Sequence, residues 1–407
     1  MATTAPSPPK SSLPATLTAA PHRLLFFVGA TNVLAAMTWW AYFWLFDITA
    51  MPVGHVPAGW LHGFIIQYQM LPSFMFGFLL TTFPRWMNQP ALARRHYVPI
   101  GAGMFAGQIL CLIAAFSGWS GFLYVGVALT IAGWAYGLGV LGTVIVRNRF
   151  RTWHAISCWV ALLVGWVAML AFANYLHGED YHVGRFAIEA GMLGVLLPVY
   201  ATVAHRMFPF FAARIPGYRA WQPMWILAAQ WPFWILHVIL QVTDPPDWLW
   251  VADLPLMVLA LICVWQWWPR GGPGLTRVLF IGYAWLPVGL ALYVVQSLNL
   301  LIADKHVLGL APLHTLAIGM FGSLLVAMAT RVTQGHSGRP LALVPTAVFA
   351  FVAMQAVVLF RIAADLSAFP YVTMVRIAAV GWLVAFLPWV IRSLAIYLRP
   401  RKDGRPG

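Results

Sequence analysis

Charged residues are scarce in this chain. Only 8% of its 407 residues are Asp, Glu, Lys or Arg, and 61% are hydrophobic, whereas soluble proteins carry about 25% charged residues. This composition excludes a soluble globular protein and leaves no room for a sizeable domain outside a membrane. We therefore predict a polytopic membrane protein whose main surroundings are the lipid bilayer.

Paired cysteines and familiar catalytic motifs are also absent. Cys111, Cys158 and Cys263 are isolated within apolar runs, so we expect buried thiols and neither a disulfide framework nor a zinc site. The sequence has no P-loop, no HExxH and no GxGxxG in a strand-turn-helix context. It also has no CxxCH for covalent attachment, so any haem would be b-type, held by coordination and packing.

Acidic residues are few, and the formal net charge is +14. In a soluble protein this balance would indicate a nucleic-acid partner, but here the placement of the basic residues explains it, and we expect no nucleic acid. Between the apolar runs given below, twenty basic residues fall on one side and four on the other, namely Arg185, Lys305, Arg361 and Arg376. The positive-inside rule then places the rich side, with both termini, in the cytoplasm.

Twelve apolar runs are each long enough to cross a bilayer. They cover residues 24–46, 61–84, 98–116, 119–146, 153–176, 185–207, 221–241, 248–268, 275–298, 306–332, 342–363 and 370–398. The predicted fold is an all-α bundle of twelve transmembrane helices forming one domain over residues 22–398. We expect residues 1–21 to be a disordered cytoplasmic tail, because they lack the apolar core of a signal peptide, and residues 399–407 to be a basic cytoplasmic tail.

The second, sixth and tenth runs share a weak pattern, in which a Gly-x-Leu-Leu segment precedes an arginine at the cytoplasmic end. The instances are Gly77 with Arg85, Gly194 with Arg206, and Gly322 with Arg331. The spacing of four runs predicts three four-helix units, and a shared hydropathy template is the alternative explanation.

Histidines are the candidate ligands for a metal or haem, since imidazole is a common ligand and an ionisable group inside a membrane needs a partner. His62, His237 and His314 fall within apolar runs, while His205 and His336 lie near cytoplasmic ends. A hydrogen-bonded core histidine is the alternative for each. We take His22, at the start of the chain, to be solvated.

Depth in the membrane can be estimated from the arginine at the cytoplasmic end of each run. His314 and His237 lie 17 and 18 residues from their arginines, and His62 lies 23 residues from Arg85. That difference places His62 about 9 Å further toward the periplasm at ~1.5 Å per residue, although a kink at Pro72 would reduce it. Spacing alone favours His237 over His62 as the partner of His314.

Polar residues near these histidines extend the candidate site. Gln69 and Ser73 continue the face of His62 at helical spacing, so they are candidate supporting groups. Glu189 and Arg376 fall in the periplasmic half, where they could form an ion pair that closes the bundle, or Arg376 could bind a haem propionate.

A glycine-flanked loop follows the tenth run and contains His336 and Arg339. One interpretation is a capped helix followed by a tight turn. The other is a second, cytoplasm-facing site, in which His336 and Arg339 join His205 and Arg206 to bind copper or a haem propionate.

Four segments resemble the NnrS family: PHRLLFFVGA at 21–30, GFLLTTFPRW at 77–86, HRMFPFFAAR at 205–214 and HTLAIGMFGSLLVAMATRVTQGHSGRP at 314–340. The last is the most specific. The resemblance implies a bacterial inner-membrane protein with haem b and copper, and a role in nitric oxide metabolism, denitrification or resistance to nitrosative stress. The chain departs from the family pattern W-H-x-H-E-M, because only His62 remains and Phe64 and Ile65 stand at the second histidine and glutamate.

A more distant resemblance is to the catalytic subunit of haem-copper oxidases, which has twelve spans in three four-helix arcs and ligands in spans two, six, seven and ten. His62, His237 and His314 fall in runs two, seven and ten. The sixth run has no mid-membrane histidine and the seventh lacks a histidine pair, so the resemblance does not extend to a complete binuclear centre.

The leading interpretation is a haem b protein that binds or processes nitric oxide, as an oxidoreductase or as a binding protein, with an electron donor that the sequence does not identify. The alternative is a transporter or metal-handling permease whose buried polar residues line a substrate path. A third interpretation is a sensor or assembly factor without turnover.

The charge distribution makes a topological prediction. Reporter fusions at Gly407 and in the loops containing Arg94, Arg149 and Arg214 should show cytoplasmic activity, because loops rich in Lys and Arg stay on that side. Periplasmic activity at Gly407 would contradict the assignment.

Overall fold

A computed structural model of the chain describes residues 12–46, 53–243 and 246–403. It contains twelve helices long and apolar enough to cross a membrane, which confirms the predicted fold class. Spans 1 to 12, in chain order, are Pro21–Leu45, Ala58–Trp86, Arg94–Ser117, Ser120–Arg147, Trp153–Gly178, Tyr181–Ala212, Met224–Thr243, Pro246–Trp267, Gly274–Ala303, Ala311–His336, Pro345–Ala364 and Tyr371–Tyr397.

Spans 2, 6 and 10 form the centre of the bundle. Their apolar windows are 89%, 72% and 78% buried, whereas those of the other nine spans are 28–61% buried. Spans 2 and 10, and spans 2 and 6, are in direct contact. A central helix in every fourth position agrees with the three-unit pattern expected from the sequence.

The same three spans each contain a π-helical segment, a rare element that is often found at functional sites. The segments are Ile65–Met70 in span 2, Gly191–Leu196 in span 6 and Thr315–Gly322 in span 10. A wider turn displaces backbone hydrogen bonds, and side-chain hydroxyls donate to carbonyls beside these segments. Ser73 donates to the carbonyl of Gln69 and Thr315 to that of Ala311, while Tyr68 of span 2 donates to the carbonyl of Ala187 in span 6.

The C-terminal ends of the three central spans are joined by a ring of contacts. In each contact an arginine of one central span meets an aromatic or imidazole ring of another. The contacts are Arg206 over Trp86 at 4.6 Å, Arg331 over Phe211 at 3.9 Å, and Arg85 Nη1 to His336 Nε2 at 2.9 Å. Span 6 thus meets span 2, span 10 meets span 6 and span 2 meets span 10.

The beginning of the chain differs from the expected disordered tail. Residues 1–11 lie outside the described residues, but Leu13–Leu17 form a short helix. The Tyr97 hydroxyl donates to the carbonyl of Thr18 at 2.7 Å, which ties this segment to span 3. The prediction of a solvated His22 is also wrong, because span 1 begins at Pro21 and His22 is buried.

Spans 3 and 4 form a hairpin held by close contact between glycines. Gly118, with φ of 74°, makes the short turn that joins them. A Cβ on Gly126 would lie 2.9 Å from both the Gly107 carbonyl oxygen and the Cys111 backbone nitrogen. Small residues allow such backbone contact between membrane helices.

Gly126→Ala should therefore lower the free energy of unfolding by roughly 1–3 kcal/mol, because the added methyl group meets backbone that cannot rotate away. Gly139→Ala in the same span is the matched control, since a Cβ there meets nothing within 4 Å. Denaturant titration in micelles gives both values. Equal stability of the two variants would show that the hairpin does not require the close contact.

Candidate functional site

The principal cavity in the described part of the chain is lined by residues of spans 1, 2, 6, 10, 11 and 12 and has a volume of about 530 Å³. His62 of span 2 and His314 of span 10 both line it. The other walls are mostly apolar and aromatic, with Trp40, Trp60 and Trp382 among the largest groups. Ligand sites are commonly apolar pockets of this size with a few polar groups.

The orientation of His314 is set by its own helix. Its Nδ1 lies 3.0 Å from the carbonyl oxygen of Leu310. Because a carbonyl only accepts, Nδ1 carries the proton and donates to it, which leaves the Nε2 lone pair available. A backbone partner on one imidazole nitrogen is how proteins commonly fix the tautomer of a metal-binding histidine.

His62 is positioned by stacking. Its ring lies 4.2 Å from the Trp40 ring, with an interplanar angle of 15°. Stacking uses the face of the imidazole, so the nitrogens at its edge remain available to a group in the cavity.

The cavity also has a charged and polar rim. Arg361 is buried, lines the cavity and donates Nη1 to Asp365 Oδ2 at 2.6 Å. Glu189 and Gln67 line it as well, and Gln67 Oε1 is buried with no hydrogen-bond partner among the described residues. Sequence reasoning missed Arg361, although it is one of only four basic residues on its side and Asp365 follows it at i+4.

Arg376 does not line this cavity. Its Nε donates to the carbonyl oxygen of Trp44 at 2.7 Å. Of the two groups proposed to close the periplasmic half, Glu189 alone lines the cavity, and Arg361 is the guanidinium found there.

Gln69 and Ser73 do not line the cavity. Gln69 Nε2 donates to Thr130 Oγ1 at 3.0 Å and is 3.2 Å from Cys111 Sγ, so its amide faces spans 3 and 4. The helical spacing from His62 failed to predict this because the π-helical segment Ile65–Met70 intervenes. A π turn holds more residues than an α turn, which rotates the residues that follow it.

His237 also lies outside the cavity. Its Nδ1 is 2.7 Å from Asp253 Oδ1 of span 8, both side chains are buried, and its ring meets Tyr293 edge to face at 5.1 Å. The structure therefore brings His62, and not His237, to the same cavity as His314.

The preference for His237 rested on the assumption that the cytoplasmic arginines lie at one depth. Arg85 is hydrogen-bonded to His336, which lies five residues after Arg331 in the sequence. Measured from these bonded residues, His62 is 85 − 62 = 23 positions away and His314 is 336 − 314 = 22 positions away. The two histidines are thus at matching depth.

His205 belongs to a separate buried cluster. Arg206 Nη1 is 3.3 Å from His154 Nδ1, His154 Nε2 is 2.9 Å from His205 Nδ1, and His205 Nε2 is 3.1 Å from the Pro223 carbonyl oxygen. Arginine only donates and a carbonyl only accepts, so both imidazoles are neutral and the hydrogen bonds run in one direction. Each ring nitrogen is occupied, which leaves no lone pair for a metal in this arrangement.

His336 has different partners. Its Nδ1 donates to the carbonyl of Val332 at 3.0 Å, Arg85 donates to its Nε2, and its ring centroid lies 4.4 Å from that of His22. His205 and His336 therefore belong to two clusters, and the single cytoplasm-facing site proposed from the sequence is not what the structure contains.

Arg339 lies in the turn after span 10. Partial burial, together with the neighbouring charge of Arg399, lowers the pKa of Arg339 from its usual value, but a guanidinium stays protonated in proteins. The turn packs against the end of the chain, because Lys402 N donates to the Ser337 carbonyl at 3.2 Å and Asp403 lies against Gly338. These contacts match the interpretation of a tight turn.

The described residues contain no group of three or more His, Cys, Asp or Glu side chains placed to hold a metal ion. The two histidines of the cavity can supply a group that needs only two protein ligands. A copper site built from three side chains does not fit these residues.

The separation of the histidine clusters predicts a pattern of energetic coupling. In double-mutant cycles on the free energy of unfolding, His154→Ala and His205→Ala should couple by about 0.5–3 kcal/mol because they share a hydrogen bond. His205→Ala and His336→Ala should add within ~0.5 kcal/mol. Strong coupling between His205→Ala and His336→Ala would instead support the single site predicted from the sequence.

Comparison with known proteins supports the resemblance noted in the sequence. Residues 16–401, nearly the whole chain, match the family model described as NnrS protein. No curated protein matches the chain. The match extends through all twelve spans and both histidine clusters, and the chain therefore belongs to the NnrS family.

Proposed function

We propose that this chain is a haem b protein of the bacterial inner membrane that binds or processes nitric oxide, and that His62 and His314 would hold the haem iron. Membership of the NnrS family suggests a role in nitric oxide metabolism. The observation that carries the proposal is that the two histidines, from different central spans, line one cavity.

The residues of the cavity fit haem b in three respects. His314 has a free Nε2 lone pair because its proton is on Nδ1, which donates a hydrogen bond to the Leu310 carbonyl. The walls are aromatic and aliphatic, as the porphyrin faces require, and the cavity volume is about 530 Å³. Arg361 places a guanidinium at the same cavity, which suits a propionate because arginine binds carboxylates in a bidentate manner.

Haem bound here would supply an iron that passes electrons, or that binds nitric oxide when one of the two imidazoles gives up its place. The chain's own residues would tune that chemistry. The Leu310 carbonyl accepts the Nδ1–H hydrogen bond of His314 and so fixes the tautomer and orientation of its ring. Trp40 stacks on the His62 ring and fixes its orientation, and the apolar walls exclude water and lower the local dielectric. Asp365 fixes the position of the Arg361 guanidinium.

The proposal does not include a copper site. The family is known for haem and copper, but the described residues offer no three-ligand group and the histidine and glutamate of the family's second-span motif are Phe64 and Ile65 here. We assign no role to copper in the proposed activity.

The proposal predicts the optical spectrum of the purified protein. The wild type should show a Soret band of a low-spin haem b, and His62→Ala and His314→Ala should each shift the band or empty the site, since each removes a histidine that would hold the iron. Both variants should still insert, because losing an imidazole makes the span more apolar.

The control is the double variant His237→Leu with Asp253→Leu, which removes a buried pair without leaving one charge unpaired and lies outside the cavity. It should retain the wild-type band. A wild type without a Soret band would overturn the haem proposal and favour the permease. Loss of the band in the control alone would contradict the assignment of His62 and His314 and would indicate His237 of span 7 as the haem ligand.

A further inference from the structure

A second cavity lies on the basic face of the molecule, away from the two histidines. It has a volume of about 250 Å³ and is lined by the end of span 6, the beginning of span 9 and the cytoplasmic part of span 10. Two of the family-like segments meet there, since Arg214 ends the segment at 205–214 and Arg331 lies in the segment at 314–340.

The cavity is strongly cationic. Arg214 and Arg331 both line it, and the described residues of its wall include no Asp or Glu. Arg331 Nη1 is 3.5 Å from Thr276 Oγ1, so a hydroxyl stands beside the guanidinium. Two guanidinium groups without a lining carboxylate form a site that an anion would stabilise.

The beginning of span 9 adds to this character. Helix Gly274–Tyr283 starts after Pro273, and Pro273, Leu275 and Thr276 line the cavity. The first N–H groups of a helix have no intrahelical partner, and the helix dipole places partial positive charge at this end. Anions bind at such ends when other donors are present.

The groups are held in place by packing. The Arg331 guanidinium lies 3.9 Å above the Phe211 ring. Gly272 has φ of +90°, and a Cβ there would lie 2.4 Å from Ile215 Cδ1, so the loop before span 9 packs directly onto the loop that carries Arg214. The cavity is thus formed by tertiary contacts that bring both arginines to one place.

We infer that this cavity binds a phosphate-class oxyanion, through Arg214, Arg331, the Thr276 hydroxyl and the first turn of span 9. Guanidinium groups bind phosphate through paired hydrogen bonds. Its position at the end of three spans suits the headgroup of an anionic lipid, and its opening beside the exposed loop of Arg214 also admits a free phosphate compound. The inference does not depend on haem binding.

The test uses the full-length protein in a neutral detergent. Native mass spectrometry would measure binding of dimyristoylphosphatidylglycerol, and equilibrium dialysis would measure binding of inorganic phosphate. The variants are Arg214→Gln and Arg331→Gln, with Arg219→Gln as the matched control, because it removes one positive charge from the same exposed loop but does not line the cavity. Arg331→Lys separates loss of charge from loss of the stacked guanidinium.

At least one of the two probes should bind the wild type, and Arg214→Gln and Arg331→Gln should each weaken it about tenfold or more, as loss of a charge-assisted hydrogen bond does. The control should match the wild type. Arg214 is exposed, so its variant should keep the wild-type melting temperature, and lost binding there cannot be attributed to misfolding.

Which probe binds identifies the source of the anion. Phosphatidylglycerol alone indicates a lipid site, and inorganic phosphate binding indicates a soluble ligand. Binding of neither probe to the wild type, or equal binding by Arg214→Gln, Arg331→Gln and Arg219→Gln, would overturn the inference.

Discussion

A hydrocarbon surrounding gives a buried polar group no water to bond with, so each must find its partner within the protein. This constraint organises the histidines and arginines of the chain. His205 is bonded through His154 to Arg206, His336 is bonded to Arg85, and His237 is bonded to Asp253. Two of these hydrogen bonds join consecutive spans, 5 with 6 and 7 with 8, and the bond between Arg85 and His336 joins spans 2 and 10.

His62 and His314 differ from these pairs because their imidazole rings line a cavity. His314 has one nitrogen bonded to its own helix, and His62 is held by a tryptophan face. A histidine with a free nitrogen beside an apolar space is suited to a ligand that the protein does not itself contain. The same contrast supports assigning haem to this place and hydrogen-bonded structural roles to the other clusters.

The number of spans could be predicted from composition and hydropathy, since only helices with apolar faces satisfy their backbone in lipid. The pairing of His62 with His314 could not be predicted, because it depends on the contact between Arg85 and His336, which puts these two residues at the same depth. The sequence also could not predict that Gln69 and Ser73 lie outside the cavity wall. An α-helical wheel assumes a constant turn, and the π-helical segment Ile65–Met70 breaks that assumption. Arg361 could have been noticed from its acidic neighbour at i+4, but nothing in its own span indicated a cavity.

The ring of contacts among Arg85, Arg206 and Arg331 has a mechanical consequence. Each central helix contacts the next at its C-terminal end through one of these arginines. These contacts oppose the tilting of one of the three helices relative to the other two at that end. Bending in the middle would leave them intact, and the three π-helical segments lie there, where the hydrogen-bond register already differs from that of an α-helix. The cavity is lined by the N-terminal halves of spans 2, 6 and 10, so such bending would widen or narrow it.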